Sequence, residues 1–185
     1  MREEAVTRML TRLAAIGCAA FVLSAAMALA GPAPGQREAA EAGDVRAQYA
    51  LGIIYDTGSG VPADYTEGFK WFRLSAEGGY APAQQKMGLM YLYGWQVRRD
   101  VAEAARWYEL AARQGHVGAQ LQVASMYERG QGVAKNLVLA YKWMGVAAGA
   151  GDADATARLA RLAKRLSAVE LAEGEALVRA WRPGR

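Results

Sequence analysis

The chain of 185 residues holds one cysteine and one histidine. The cysteine, Cys18, lies in the uncharged run "LAAIGCAAFVLSAAMALA" from Leu13 to Ala30. A chain that has shed this run has no thiol left, which excludes disulfides, thiolate metal sites and a cysteine nucleophile. A lone histidine, His116, excludes a polyhistidine metal centre, because such sites need several ligands. Outside the N-terminal segment the serines are Ser59, Ser75, Ser125 and Ser167, and none stands in a nucleophile-elbow pattern. The glycine-rich spots "GSG" at 58–60 and "GQG" at 130–132 lack the lysine and hydroxyl residue of a phosphate loop. A basic block is missing too. The net charge of +4 is spread over scattered Arg and Lys, so the sequence gives no basis for a nucleic-acid partner. The reading is therefore no catalytic residue, no metal ligand and no cofactor.

The N-terminus differs from the rest. "MREEAVTRMLTR" carries Arg2, Arg8 and Arg12, the apolar run comes next, and small residues stand at Ala28 and Ala30. This order predicts a secretory signal over residues 1–30, cleaved after Ala30, with "AMA" at 26–28 as a nearby alternative. Eighteen apolar residues also reach the lower edge of a membrane span. An uncleaved anchor with its membrane contact through 13–30 is the competing reading. Cys18 sits too early in the run for a lipid-modified terminus, and Ala15 stands where a larger aliphatic residue is usual. The expected location is periplasmic or secreted, or else the inner membrane with a periplasmic domain. "GPAPGQ" then breaks any helix, so residues 31–42 are expected to be a linker.

From Gly43 onward the chain is periodic. Gly43, Gly79, Gly115 and Gly151 lie 36 residues apart. The same step relates Ala47, Ala83 and Ala119; Gln48, Gln84 and Gln120; Tyr55, Tyr91 and Tyr127; Gly58, Gly94 and Gly130; and Trp71, Trp107 and Trp143. Matches of Trp and Tyr at fixed phase mark stacked repeats. Three full units result, 43–78, 79–114 and 115–150, and an atypical segment over 151–182.

Each unit predicts two helices. Ala47, Leu51 and Tyr55 are four apart and share a stripe, as do their counterparts. The next position after the middle of that stripe is always small: Gly52, Gly88, Ala124. Glycine inside a helix costs about 1 kcal/mol against alanine, so a closely approaching neighbour is expected there. Gly58, Gly94 and Gly130 suit a helix C-terminus. Asp64, Asp100 and Asn136 suit caps of the second helix, and Glu67 and Glu103 complete a capping-box pattern with the first two. The Trp and Tyr series reads as core.

The stretches "AQYALGIIYDTGSGVPADYTEGFKWFRLSAEGG", "AQQKMGLMYLYGWQVRRDVAEAARWYELAARQG" and "AQLQVASMYERGQGVAKNLVLAYKWMGVAAGAG" resemble the Sel1-like repeat family, relatives of the tetratricopeptide repeat. The resemblance implies an all-α fold, a right-handed alpha solenoid of stacked antiparallel helix pairs whose curved surface serves as a scaffold for other proteins. Some members have been linked to cell-wall fragments or beta-lactams. These are cysteine-rich, so weak wall binding or hydrolysis is only the alternative here. Over 151–182, Ala155, Leu159, Leu162 and Leu166 keep helical spacing without the Tyr and Gly of the earlier units. Ser167 and Glu170 make another capping box, and Leu171, Leu177, Val178 and Trp181 are placed to cover the last repeat. Such terminal units are expected to be atypical caps. The final "RPGR" is expected to fray.

Specificity should then lie where the units differ. Trp95, Arg98 and Arg99 occupy one loop, Lys135 the next, and His116 a turn between units. Trp and Arg often anchor interfaces, so these five are the candidate binding residues for a protein partner. His116 reads as a solvated turn residue rather than a base.

Overall fold

A computed structural model describes residues 31–33 and 35–184. The segment expected to be a signal or anchor, and the membrane contact assigned to 13–30, lie outside the described residues. Among these residues the secondary structure is helical throughout: α1 (Gln36–Glu41), α2 (Val45–Thr57), α3 (Tyr65–Glu77), α4 (Ala81–Tyr93), α5 (Val101–Arg113), α6 (Val117–Arg129), α7 (Leu137–Gly149), α8 (Ala153–Ala163) and α9 (Ala168–Ala180). Helices α2 and α3, α4 and α5, and α6 and α7 form the three pairs, and each pair packs on the next. The result is an all-helical solenoid.

The repeat positions explain how the pairs hold together. Trp71, Trp107 and Trp143 are buried, with Phe72, Tyr108 and Met144 beside them. Burying one such ring or chain fully is worth about 1.5–3 kcal/mol. The small residues of the first helices face these side chains. A Cβ on Gly52 would stand 2.5 Å from the Phe72 ring, and one on Gly88 would stand 2.8 Å from Tyr108. In the third unit the facing residue is the flexible Met144, and there the first helix tolerates Ala124. Both are fully buried in one cluster.

A glutamine ladder links the units. The Nε2 groups of Gln48, Gln84 and Gln120 donate to the carbonyls of Ala40 at 3.0 Å, Ala76 at 3.2 Å and Ala112 at 3.1 Å. Each buried side chain adds a second donor to a carbonyl in the last turn of the preceding helix, which already accepts the N–H of Gly43, Gly79 or Gly115. The sequence shows these glutamines as a repeat but not what they do. In the middle unit the amide oxygen of Gln84 also accepts from Gln114 at 2.7 Å. Gly78 and Ala150 hold the Gln114 position in the other units, and there the Gln48 and Gln120 amide oxygens are buried without partners.

The expectation of a linker over 31–42 is corrected. Residues 36–41 form α1, and Ala40 is buried. Ala40 and Arg37 lie one repeat before Ala76 and Arg73, so α1 is a truncated second helix. Arg37 donates to the Tyr55 hydroxyl at 2.8 Å, and Gln48 makes the same bond to α1 that its counterparts make to α3 and α5. The Gly and Pro of "GPAPGQ" stop the chain only before Gln36; tertiary contacts sustain a helix too short to stand alone.

Local chemistry sets the helix ends. Asp64 accepts from the N–H of Thr66 and Glu67, Asp100 from Ala102 and Glu103, and Asn136 from Leu139. Gly58, Gly94 and Gly130 close the first helices in the left-handed region. Glu67 and Glu103 do not make capping boxes; they turn to Lys70 at 3.2 Å and to Arg106 at 2.6 Å. The box does form at Ser167 and Glu170. The repeat tyrosines are not wholly core. Tyr55, Tyr91 and Tyr127 are half-buried, and the Tyr127 hydroxyl bonds to the Glu109 carboxylate. Burial and that carboxylate push the Tyr127 pKa up to about 12.

At the C-terminal end α8 and α9 both pack on α7. Ala155 and Leu162 are buried in this contact, whereas Leu166 falls beyond the end of α8. Val178 lies where a Cβ on Gly145 would need 2.6 Å. The tail expected to fray is tied down, because Gly184 donates its N–H to the Arg113 carbonyl at 2.8 Å.

Candidate protein-binding cleft

The loop after α4 departs from its repeat, and its surroundings show why that matters. Trp95 and Gln96 replace the Ser59 and Gly60 of the first unit and the Gln131 and Gly132 of the third. Gln96 has φ 60°, alone among non-glycine residues in the described chain. A left-handed non-glycine residue costs about 1–3 kcal/mol. At the same phase a Cβ on Gly132 would collide with the Val101 carbonyl oxygen, so that loop lies directly on the start of α5. Gln96 carries a Cβ and cannot lie so close to Tyr65, the counterpart of Val101. Gln96 and Tyr65 both line a cleft of about 430 Å³ between the first and second units.

Two aromatic rings, Tyr65 and Trp95, line this cleft, and a third, Tyr93, lies beside it against Trp95. Trp95 is 48% exposed, Tyr65 54% and Tyr93 59%. Tyr93 and Trp95 stack, with centroids 5.1 Å apart and planes at 21°. The floor contains Met90 and an ion pair, Lys86 Nζ to Asp56 Oδ2 at 2.9 Å. Lys86 also sits 5.0 Å from the centroid of Phe72, a cation over a ring face. The two floor charges cancel each other. What the cleft and the Tyr93 ring beside it present to solvent is three rings with polar tips, the amphipathic surface that recurs where proteins dock.

The sequence-predicted residues do not all meet there. Trp95 lines the aromatic cleft. Arg98 and Arg99 lie on the other side of the loop, against a shallow depression of about 620 Å³ with Tyr91, Val97 and Val101. Arg99 is committed to its own loop, since its Nε donates to the Leu92 carbonyl at 3.0 Å. Lys135 holds the Arg99 phase one unit on and is exposed. His116 lines neither depression. It is half-buried and caps α6, its Nδ1 accepting the Ala119 N–H at 3.3 Å. Asp44 and Asp152 cap α2 and α8 from the same phase. Burial holds the His116 pKa below its ordinary value. Sequence reasoning missed Tyr65, which lines the cleft, and Tyr93, which stacks on its Trp95. Their signal was present: aromatics at phases where the other units have Val101 and Leu137, or Thr57 and Arg129.

Among the described residues no group of three His, Cys, Asp or Glu side chains is placed to hold a metal ion. No helix among them is long and apolar enough to cross a membrane. Against known families, the Sel1 repeat model matches residues 45–80, 81–116 and 117–152. The chain belongs to the Sel1 repeat family. Its solved relatives agree. A Sel1 repeat protein from Oxalobacter formigenes is 40% identical with a TM-score of 0.66, over 68% of this chain and 95% of that one. A protective antigen present in uropathogenic Escherichia coli strains, which displays an SLR fold, is 36% identical with a TM-score of 0.67. That match covers 77% of this chain but 31% of the antigen. Helicobacter pylori cysteine-rich protein B shares the fold at 22% identity and a TM-score of 0.55, over 67% of this chain and 94% of that one. No curated protein matches the sequence. Sel1 repeat proteins are generally protein-interaction scaffolds.

Proposed function

We propose that this Sel1 repeat protein is an exported, non-catalytic adaptor that binds a partner protein in the cleft between its first and second repeats. The observation that carries the proposal is the pair Tyr65 and Trp95 that lines the cleft, with Tyr93 stacked on Trp95. These are large rings left exposed around a concavity with a neutralised floor. An apolar or aromatic side chain of the partner fits between the rings, and the tyrosine hydroxyls and the Trp95 N–H supply polar contacts at its edge. Export rests on the charged start and apolar run of residues 1–30. It places the protein in the periplasm or outside the cell, or at the inner membrane if the run is retained.

The test is recovery of partners from an envelope extract with the tagged full-length protein. Tyr93→Ala combined with Trp95→Ala should lower recovery of a discrete protein partner by at least about tenfold, equivalent to about 1.4 kcal/mol, at unchanged helicity. Unchanged recovery would place the binding surface elsewhere. The mass of the native N-terminus decides between cleavage after Ala30 and retention.

A further inference from the structure

The aromatic cleft has a counterpart two repeats further along. Asp56, Lys86 and Met90, which line the aromatic cleft, correspond to Glu128, Arg158 and Leu162, and Tyr93 beside it corresponds to Arg165, each two steps of 36 residues later. Between α6 and α8 these later residues line a cleft of about 500 Å³, joined by Ser125, Arg129 and Arg161. Four guanidinium groups and one carboxylate give it a net charge of +3. Where the first cleft has rings and a neutral floor, the second has unbalanced positive charge in a concave setting.

Two of the arginines are structurally committed. Arg158 donates to the Ser125 hydroxyl at 2.7 Å and lies 4.0 Å from Asp154, and Arg165 pairs with Glu128. The other two, Arg129 and Arg161, are exposed and have no carboxylate within ion-pair distance among the described residues. Arg158 and Arg161 fall three apart on α8 and Arg165 follows in the turn after it, so like charges that repel lie close together. An anion set among them relieves that repulsion, and guanidinium forks bind carboxylates in two-point geometry. The Glu128 side chain against Arg165 already shows a carboxylate seated in this cleft.

We infer that the arginine cleft between α6 and α8 is a docking site for the acidic side chains of a protein segment. Several separate forks spread over α6, α8 and the turn after α8 suit successive carboxylates better than one compact anion. The cleft also uses the same repeat phases as the aromatic one. The inference rests on the reading of the solenoid as a protein-binding scaffold.

The experiment measures binding of fluorescently labelled hexaglutamate to the full-length protein by anisotropy. Hexaglutamate is expected to bind, to weaken at least tenfold in Arg129→Glu plus Arg161→Glu, and to weaken steadily as salt rises. Arg129→Gln plus Arg161→Gln, which removes charge without adding any, should weaken it in the same direction at unchanged melting temperature. Tyr93→Ala plus Trp95→Ala should leave hexaglutamate binding intact while losing the envelope partner, which separates failure of one cleft from failure of the other. Absence of hexaglutamate binding, or binding indifferent to both arginine pairs, overturns the inference. So does arginine-dependent binding to phosphatidylglycerol vesicles, or full competition by millimolar inorganic phosphate, since either identifies the site as one for phosphate.

Discussion

The cleft between the first two repeats and the cleft between the third repeat and α8 are built on one frame and carry opposite chemistry. The same repeat phases supply Tyr93 beside one and Arg165 in the other, and Lys86 paired with Asp56 in one but Arg158 beside unpaired arginines in the other. The frame comes from positions that repeat: the tryptophans, the glutamine ladder and the small residues opposite Phe72 and Tyr108. The chemistry comes from positions that do not. A solenoid keeps these two roles apart because each unit contacts only its neighbours, so an exposed phase can change in one unit without disturbing the core of the next.

The largest effect expected bears on the frame. Gly52→Ala sets a methyl group 2.5 Å from the buried Phe72 ring, and overpacking of this kind costs about 1–3 kcal/mol, against about 1 kcal/mol regained in helix propensity. Combining Gly52→Ala with Phe72→Met copies the Ala124 and Met144 pair of the third unit. Urea denaturation should then show the double variant more stable than Gly52→Ala alone; additive losses would break the claim that these two positions are matched.

Next comes the feature that separates an open cleft from a closed loop. Gln96→Gly removes left-handed strain of about 1 kcal/mol or more and lets the loop lie against Tyr65 as Gly132 lies against Val101. Partner recovery should fall while the midpoint of unfolding rises. A variant that is more stable and binds equally well would show that the cleft does not depend on Gln96.

The smallest effect concerns His116. Burial lowers its pKa from the ordinary value of about 6.5. The unfolded chain therefore takes up the proton first as pH falls, so stability is full above about 6.5 and declines below it, through the window that ends at the folded value. His116→Asp installs the cap used at Asp44 and Asp152. The variant should lose the part of the fall in melting temperature, about 1–2 °C, that the wild type shows between pH 7 and pH 5. An identical fall in both proteins would remove His116 as a source of the pH dependence.

The frame was legible in the sequence because its signals are local or periodic. Asp64, Asp100 and Asn136 announce helix starts by chemistry, and Trp at fixed phase announces a core. Helix α1 was hidden because its six residues gain their stability from Gln48, Tyr55 and the burial of Ala40, contacts made across the chain. Glu67 and Glu103 had a cap within reach in sequence, but a lysine and an arginine three residues on offered opposite charges. Trp95 was legible as a departure from its repeat. Tyr65, Tyr93 and the arginines on and after α8 also depart from their repeat, but their convergence was not legible, because which exposed phases meet at a cleft depends on how one unit stacks on the next.

The protein-binding role stands most directly on contact at the aromatic cleft. A photo-crosslinking residue placed at Tyr93 in the full-length protein, in living cells, should yield a discrete protein adduct. The same residue at Val169 on α9, which is 78% exposed, should not. Equal adducts at both positions, or adducts at Tyr93 that carry glycan and no protein, would contradict the reading of this cleft as a protein-binding site.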